Sequence, residues 1–186
     1  MKEKFGHKND LAVPRLERVV LNVGLGHSLK DSKFINIVEN TLLKITGQKP
    51  IKTLAKKSVS SFKIREGMVV GMKVTLRGER MWAFLDKLIN VAFPRIRDFR
   101  GFSLESFDQS GNYSVGIREH VIFPEVNPNI TKGIRSLQVT IVFDSDDIKK
   151  NMFLLKELSF PFAEAGILKE TFERVKKVKK VKKRDK

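Results

Sequence analysis

Lys49, Lys52, Lys56, Lys57, Lys63, Arg65, Lys73, Arg77 and Arg80 crowd the stretch from Gly47 to Arg80, opposed there only by Glu66 and Glu79. Cations at this density cannot be neutralised within the segment, so the local field calls for an anionic partner. The chemistry on offer is phosphate binding rather than bond making. Ser58, Ser60 and Ser61 add hydroxyls to the same loop. Phe62, between Ser61 and Lys63, could pack on a core or stack on an exposed base.

A second constellation lies on strand-like segments. Arg18, Asn22, Lys73, Thr75, Arg77, Gln138 and Thr140 alternate with apolar residues and fall on the sides turned away from a core. Asn, Gln and Thr can donate to and accept from sugar hydroxyls and base edges, while Lys and Arg hold phosphates. A plain solvated sheet face would carry similar residues.

Other chemistries are weakly supported. Gly24-Leu25-Gly26 follows a strand, but Leu29 stands where a dinucleotide fingerprint needs its third glycine, and no GK[ST] motif occurs. His7, His27 and His120 are far apart in sequence and read as surface or turn residues. Glu119 beside His120, and the group Asp144, Asp146 and Asp147, could serve as acid and base or hold magnesium. Helix capping accounts better for the second group. There is no cysteine, which removes disulfides, thiolate zinc sites and a Cys nucleophile together.

The elements that must position these groups follow from periodicity. Leu16 to Val23 reads as a half-buried strand with Val19, Leu21 and Val23 inward, ended by Gly24 and Gly26. From an N-cap at Asp31 or Ser32, the residues Phe34, Val38, Thr41, Leu42 and Ile45 form one helical stripe that Gly47 stops. Gln48 to Leu54 is extended, with Pro50 favouring a sheet edge, and a long loop runs from Ala55 to Val70. Met72, Val74 and Leu76 point to a core from the next strand, which Gly78 breaks. Met81, Leu85, Leu88 and Ala92 make a second helical stripe, widened by Trp82 and Ile89 and ended by Pro94. The Arg95 to Phe102 segment reads as a loop. Tyr113 to Ile122 predicts one or two strands, Leu137 to Phe143 a clear one, and Ile148, Met152 and Leu155 the stripe of a last helix.

The bulk numbers agree with a polyanion partner. The 186 residues carry 37 Lys+Arg against 21 Asp+Glu, a net charge of +16. At 41% hydrophobic with 14 Phe, the chain can bury the core of one domain. No stretch approaches the roughly 18 apolar residues of a membrane span. The start is too polar for a secretory signal, which points to a cytosol-like compartment. From Gly166 onward the composition turns basic, with Val175, Val178 and Val181 every third residue among lysines. That period gives no stable helical stripe, so the stretch reads as a flexible basic tail that could order on a polyanion.

These residues also carry a resemblance. Leu42 to Ser58, LLKITGQKPIKTLAKKS, looks like the signature of the large-subunit ribosomal protein family called L five, which binds 5S rRNA. VPRLERVVLNVGLG, FKIREGMVVGMKVTLRGERMWAFLDKLI, PRIRDFRGFS, SFDQSGNYSVGIREHVIFPE and the closing FPF resemble its bacterial form in the same order, covering about Val13 to Phe162.

The resemblance implies a non-catalytic α+β protein of two layers. Its antiparallel sheet would have helices packed on one face and a concave RNA-binding face on the other. It implies that Asn22, Gln48 and Thr75 hydrogen-bond 5S rRNA, with Arg18, Lys49, Lys73 and Arg77 as the neighbouring rRNA-binding cations. It implies that the 56–65 loop, through Lys56, Lys57, Ser58, Ser60, Ser61, Phe62, Lys63 and Arg65, reaches P-site tRNA. The partners so implied are 5S rRNA, 23S-type rRNA, P-site tRNA, a small-subunit head protein and other large-subunit proteins, in a cytoplasmic ribosome, with no cofactor. It implies a single domain over residues 1–162, with 163–186 as a basic extension. Three departures stand out: the chain begins partway into the family's usual first helix, Gln109 and Ser110 replace a usual Gly-Arg, and the basic extension runs past the family's usual end.

Overall fold

In a computed structural model of the chain, residues 2–6, 9–26, 32–127 and 136–163 are described. His7, His27, Leu29, Asp31 and the basic run beyond Ala163 lie outside them. Five strands, β1 (Leu16–Gly24), β2 (Ile51–Leu54), β3 (Val69–Leu76), β4 (Tyr113–Ile117) and β5 (Leu137–Phe143), form one sheet in the order β2-β3-β1-β5-β4. Every pairing in it is antiparallel. In β1 the residues Val19, Leu21 and Val23 are buried, as are their neighbours Met72, Val74 and Leu76 of β3 and Val139 and Ile141 of β5. One face of the sheet is thereby sealed.

Helices cover that face. Besides the short α1 (Lys2–Phe5), they are α2 (Ser32–Thr46), α3 (Gly78–Lys87) and α4 (Ile148–Glu157). The α2 helix buries Val38, Thr41, Leu42 and Ile45, with Phe34 half-buried at its start. It stops at Gly47, whose φ of 66° and N–H bond of 2.8 Å to the Leu43 carbonyl make the left-handed C-terminal turn. In α3 the buried set is Met81, Phe84 and Leu85, and the chain continues through a π turn over Leu88–Ala92 that buries Leu88 and Ala92. The inserted residue of a π turn rotates the apolar stripe. Trp82 does not widen that stripe as its spacing suggests, and stays 47% exposed.

Other expectations shift in detail. The strand after the long loop starts at Val69, three residues before Met72, and Tyr113 to Ile122 holds one strand followed by a 3-10 turn at His120–Ile122. His120 is buried at that turn, whereas the adjacent Glu119 is exposed. In α4 the buried residues are Asn151 and Leu155, while Ile148 and Met152 are only half-buried. Periodicity misses Asn151 because it is polar. Its Nδ2 donates to the Gly111 carbonyl at 3.0 Å and the Ser145 carbonyl at 2.6 Å, pinning α4 to the loops beside β4 and β5. A buried amide held this way fixes a loop that apolar packing alone would leave free to slide.

The acidic group at 144–147 is structural. The Asp144 carboxylate accepts from the Arg15 amide at 2.7 Å, joining the entry to β1 with the exit from β5. Asp147 caps α4 by accepting from the Lys149 amide at 3.0 Å. Among the described residues no cluster of three or more His, Asp or Glu could hold a metal ion.

The Arg95 to Phe102 segment, unassigned by pattern, belongs to an aromatic cluster. Phe93 contacts Phe99, Phe102 and Phe160, and Tyr113 packs against Phe107, Phe160 and Phe162, with ring centroids 4.6 to 6.0 Å apart. The buried Tyr113 hydroxyl donates to the Ser103 carbonyl at 2.9 Å, and burial pushes its pKa well above the ordinary value. The chain closes where the Phe102 amide donates to the Pro161 carbonyl and the Ala163 amide to the Phe102 carbonyl, at 3.0 and 3.1 Å. Gly101 makes this closure possible. Its φ is +88°, and a Cβ there would lie 2.4 Å from the Ala163 nitrogen. Gly101→Ala is therefore expected to lower unfolding free energy by roughly 2 to 4 kcal/mol, with the denaturant midpoint falling accordingly. A midpoint equal to that of the wild type would show that Phe160 to Ala163 is not held against this turn.

Candidate nucleic-acid interface

The face of the sheet opposite the helices is built as a ladder of cross-strand rungs. The register places Lys73, Asn22, Gln138 and Gly116 side by side from β3 through β1 and β5 to β4. The next rung holds Thr75, Val20, Thr140 and Ser114. Lys73, Asn22 and Gln138 are exposed; Thr75, Val20, Thr140 and Ser114 are half-buried. Here the Ser114 and Thr140 hydroxyls share a 3.0 Å hydrogen bond. Arg18 and Arg77 sit beyond this rung, next to Val19 and Leu76. Arg18 is half-exposed and ion-pairs with its neighbour Glu17; Arg77 is exposed. None of the described helices covers this face, because its residues offer no continuous apolar surface for one to pack on.

Gln48 joins the ladder from outside the strands. The Thr46 hydroxyl accepts from its amide at 3.2 Å, and its own Nε2 donates to the Thr75 carbonyl at 3.2 Å. The turn after α2 thus delivers Gln48 to the edge of the face beside Thr75. Sequence reading places both residues outside the core but does not show that they touch.

Lys49 has a different setting. With Lys52 it approaches Glu39 of α2, at 3.5 and 3.1 Å. The excess charge of the Gly47 to Arg80 stretch is thus partly met from outside it, by a carboxylate that sequence spacing could not assign. The hydrogen bond from Lys52 holds Glu39 below its ordinary pKa of 4.5, helped by the charges of Lys52 and Lys49 and opposed by partial burial.

The loop between β2 and β3 is a hairpin arm. Its base is closed by the Ala55 amide on the Met68 carbonyl at 2.8 Å and the Gly67 amide on the Ala55 carbonyl at 3.0 Å. Further out, Val59 and Ile64 exchange two backbone bonds of 2.9 and 3.1 Å. The Ser58 hydroxyl accepts from the Glu66 amide at 3.0 Å. The tip is a 3-10 turn at Ser60–Phe62, which Lys63 ends in the left-handed region at φ 54°. Lys56, Lys57, Ser58, Ser60, Ser61, Phe62, Lys63 and Arg65 are all exposed, Phe62 at 72%. The alternative that Phe62 packs on the core does not hold. An aromatic ring at the tip of a cationic hairpin has a free face for stacking.

Because the folded pKa of Glu39 is depressed, its ion pairs add stability above the ordinary carboxylate value and lose it as pH falls through the lowered one. The stability gap between wild type and Glu39→Gln is expected to hold steady near neutrality and narrow below about pH 4.5. Urea unfolding at several pH values measures it, and a gap that widens on acidification would contradict the pairing.

Comparisons with known proteins show which family the chain belongs to. The family model described as ribosomal protein L5 matches residues 9–65, and the model for the C-terminus of the same ribosomal family matches residues 69–162. The chain is 54% identical over 162 residues to the large ribosomal subunit protein uL5 of Malacoplasma penetrans, covering 87% of this chain and 86% of that one. It is 53% identical over 160 residues to the uL5 of Halothermothrix orenii, covering 86% and 89%. To the uL5 of Colwellia psychrerythraea it is 49% identical over 162 residues, covering 87% and 90%. With two abutting family models across most of its length and relatives at half identity, the chain belongs to the ribosomal protein L5 family, the uL5 proteins of the large ribosomal subunit.

Proposed function

We propose that the open face of the sheet binds 5S rRNA, within a chain whose family makes it a structural, non-catalytic constituent of the large subunit of the cytoplasmic ribosome. The observation that supports this most is the asymmetry of the sheet: one face sealed by apolar side chains, the other presenting Lys73, Asn22 and Gln138 on a single exposed rung. A rigid ladder of amides and hydroxyls can read the shape and edges of a folded RNA, while Arg18, Lys49, Lys73 and Arg77 lower the cost of bringing phosphates close. Asn22, Gln48 and Thr75 fix the register on that RNA.

The arm has a separate role in this reading. Its exposed cations, hydroxyls and Phe62 reach a second RNA, the P-site tRNA, and the protein helps bridge to a small-subunit head protein. Contacts with 23S-type rRNA and other large-subunit proteins complete its place in the central protuberance. Residues 1–162 act as one domain, and the basic 163–186 extension provides further polyanion attraction.

The test is binding of 5S rRNA by folded Asn22→Ala, Gln48→Ala and Thr75→Ala variants, compared with Lys179→Ala in the extension. The three face variants are expected to weaken binding by roughly tenfold each, and the tail variant by much less. Wild-type binding by all three, with loss confined to Lys179→Ala, would refute the assignment of the face. In the same assay, if roughly six to ten phosphates are neutralised, affinity should fall by about 10³ to 10⁵ between 50 and 200 mM salt, taking the duplex scale as an upper guide. A salt-insensitive complex would contradict phosphate contact.

A further inference from the structure

We infer that the open face contains a seat for one unstacked nucleobase, floored by Gly24 and Gly116 and edged by the carboxamides of Asn22 and Gln138. This deepens the reading of that face as an RNA surface and rests on it. The starting observation is that three glycines lie on or beside one end of the face, and only one is explained by the fold. Gly71 is required by packing, since a Cβ there would sit 2.9 Å from both the Thr53 hydroxyl and the Val23 carbonyl. At Gly24 and Gly116 an added Cβ would meet nothing within 4 Å, and neither residue needs a positive φ. Glycine weakens a strand relative to a residue with a side chain, so two unforced glycines in strand positions call for another reason. What they leave is bare backbone that a flat group can approach closely.

The surroundings fit such a group. Asn22, Gly24, Ser114, Gly116, Ser136 and Gln138 line a shallow open depression on the face. The register sets Asn22 directly beside Gln138, and Gln138 beside Gly116. Each carboxamide offers one acceptor and two donor hydrogens, and both end in the same geometry that pairs with the edge of a base. Lys73 lies on the other side of Asn22 in the same rung. A flat, edge-polar group with an anion attached one strand away matches a nucleotide, whose base and phosphate would meet the carboxamides and Lys73 together. Ser114 already shares its hydroxyl with Thr140, which stiffens the wall of the depression rather than leaving it to adapt.

The seat turns on Gly116 and Gln138, both outside the set of Asn22, Gln48 and Thr75. It is tested with Gly116→Val and Gln138→Ala in the full chain, with 5S rRNA as the probe. Valine suits an exposed strand position, so Gly116→Val is expected to melt no lower than wild type. It should nonetheless bind the RNA roughly tenfold more weakly or worse, as should Gln138→Ala, the scale of one lost bidentate base contact.

A series of RNAs, each abasic at one unpaired position, then locates the base: at one position the abasic RNA should bind wild type and Gly116→Val alike. If both variants bind as wild type while Asn22→Ala and Lys73→Ala weaken binding, the seat is refuted and the face reading survives. If all four bind as wild type, both fail. A loss spread evenly over every abasic RNA also refutes the seat. Should Gly116→Val unfold, Gly116→Ala with Gln138→Ala carries the same criteria.

Discussion

Everything in this molecule depends on a sheet whose apolar residues lie at alternate positions and therefore on one side only. A strand with period-two alternation can bury one face, and the central β1 shows the consequence: Val19, Leu21 and Val23 lie at 5% exposure or less while Asn22 between them is exposed. Because β3 and β5 flank β1 in register, the sidedness of one strand is imposed on three. A slip of one residue in either pairing would turn Met72, Val74 and Leu76, or Val139 and Ile141, to solvent. The open face is thus fixed by the same hydrophobic term that closes the other, and its polar groups are held at strand spacing without any contact among themselves being needed.

The arm obeys a different physics. It has no buried residue at its tip and is held by a few backbone pairs and the Ser58 bond, so its order comes from the hairpin alone. Such an element belongs to the low-stability end of a structure, and can adjust to a partner at little cost to the core. Cations are well suited to it, since long flexible side chains in water attract phosphate without exact placement. The face suits amides and hydroxyls, whose directional bonds discriminate only when the backbone beneath them is rigid.

Much of this was legible in the sequence, and the failures share a cause. Alternation identified β1, the inward residues of β3 and the full extent of β5, and Gly47 marked the end of α2, because each of these is set by local sterics and a single burial direction. The seating of Arg95 to Phe102, the pinning role of Asn151, the burial of His120 and the partnership of Glu39 with Lys49 and Lys52 were not legible. Each depends on a partner distant in sequence, and no local period encodes it. Trp82 shows the complementary error: it borders the helical stripe of α3, yet the core is filled by Met81, Phe84, Leu85 and Leu88, and Trp82 one position along turns outward. On the candidate interface, the residue types and their outward direction could be read; that Gln48 touches Thr75 could not.

On the proposed reading of the open face, the position of the charges lets so basic a chain discriminate among anions. If every cation of the Gly47 to Arg80 stretch were free, attraction would be strong and indifferent to shape. Glu39 of α2 pairs with Lys49 and Lys52, while Lys73 shares the open rung with the neutral Asn22, Gln138 and Gly116. The result is a face on which cations are spaced among neutral groups, beside an arm where they are crowded together. Under that proposal, long-range attraction would belong chiefly to the arm and selection to the face, where a wrongly shaped polyanion would leave amide and hydroxyl groups without partners. Separating the two allows the attraction to be screened by salt without altering what the face can recognise.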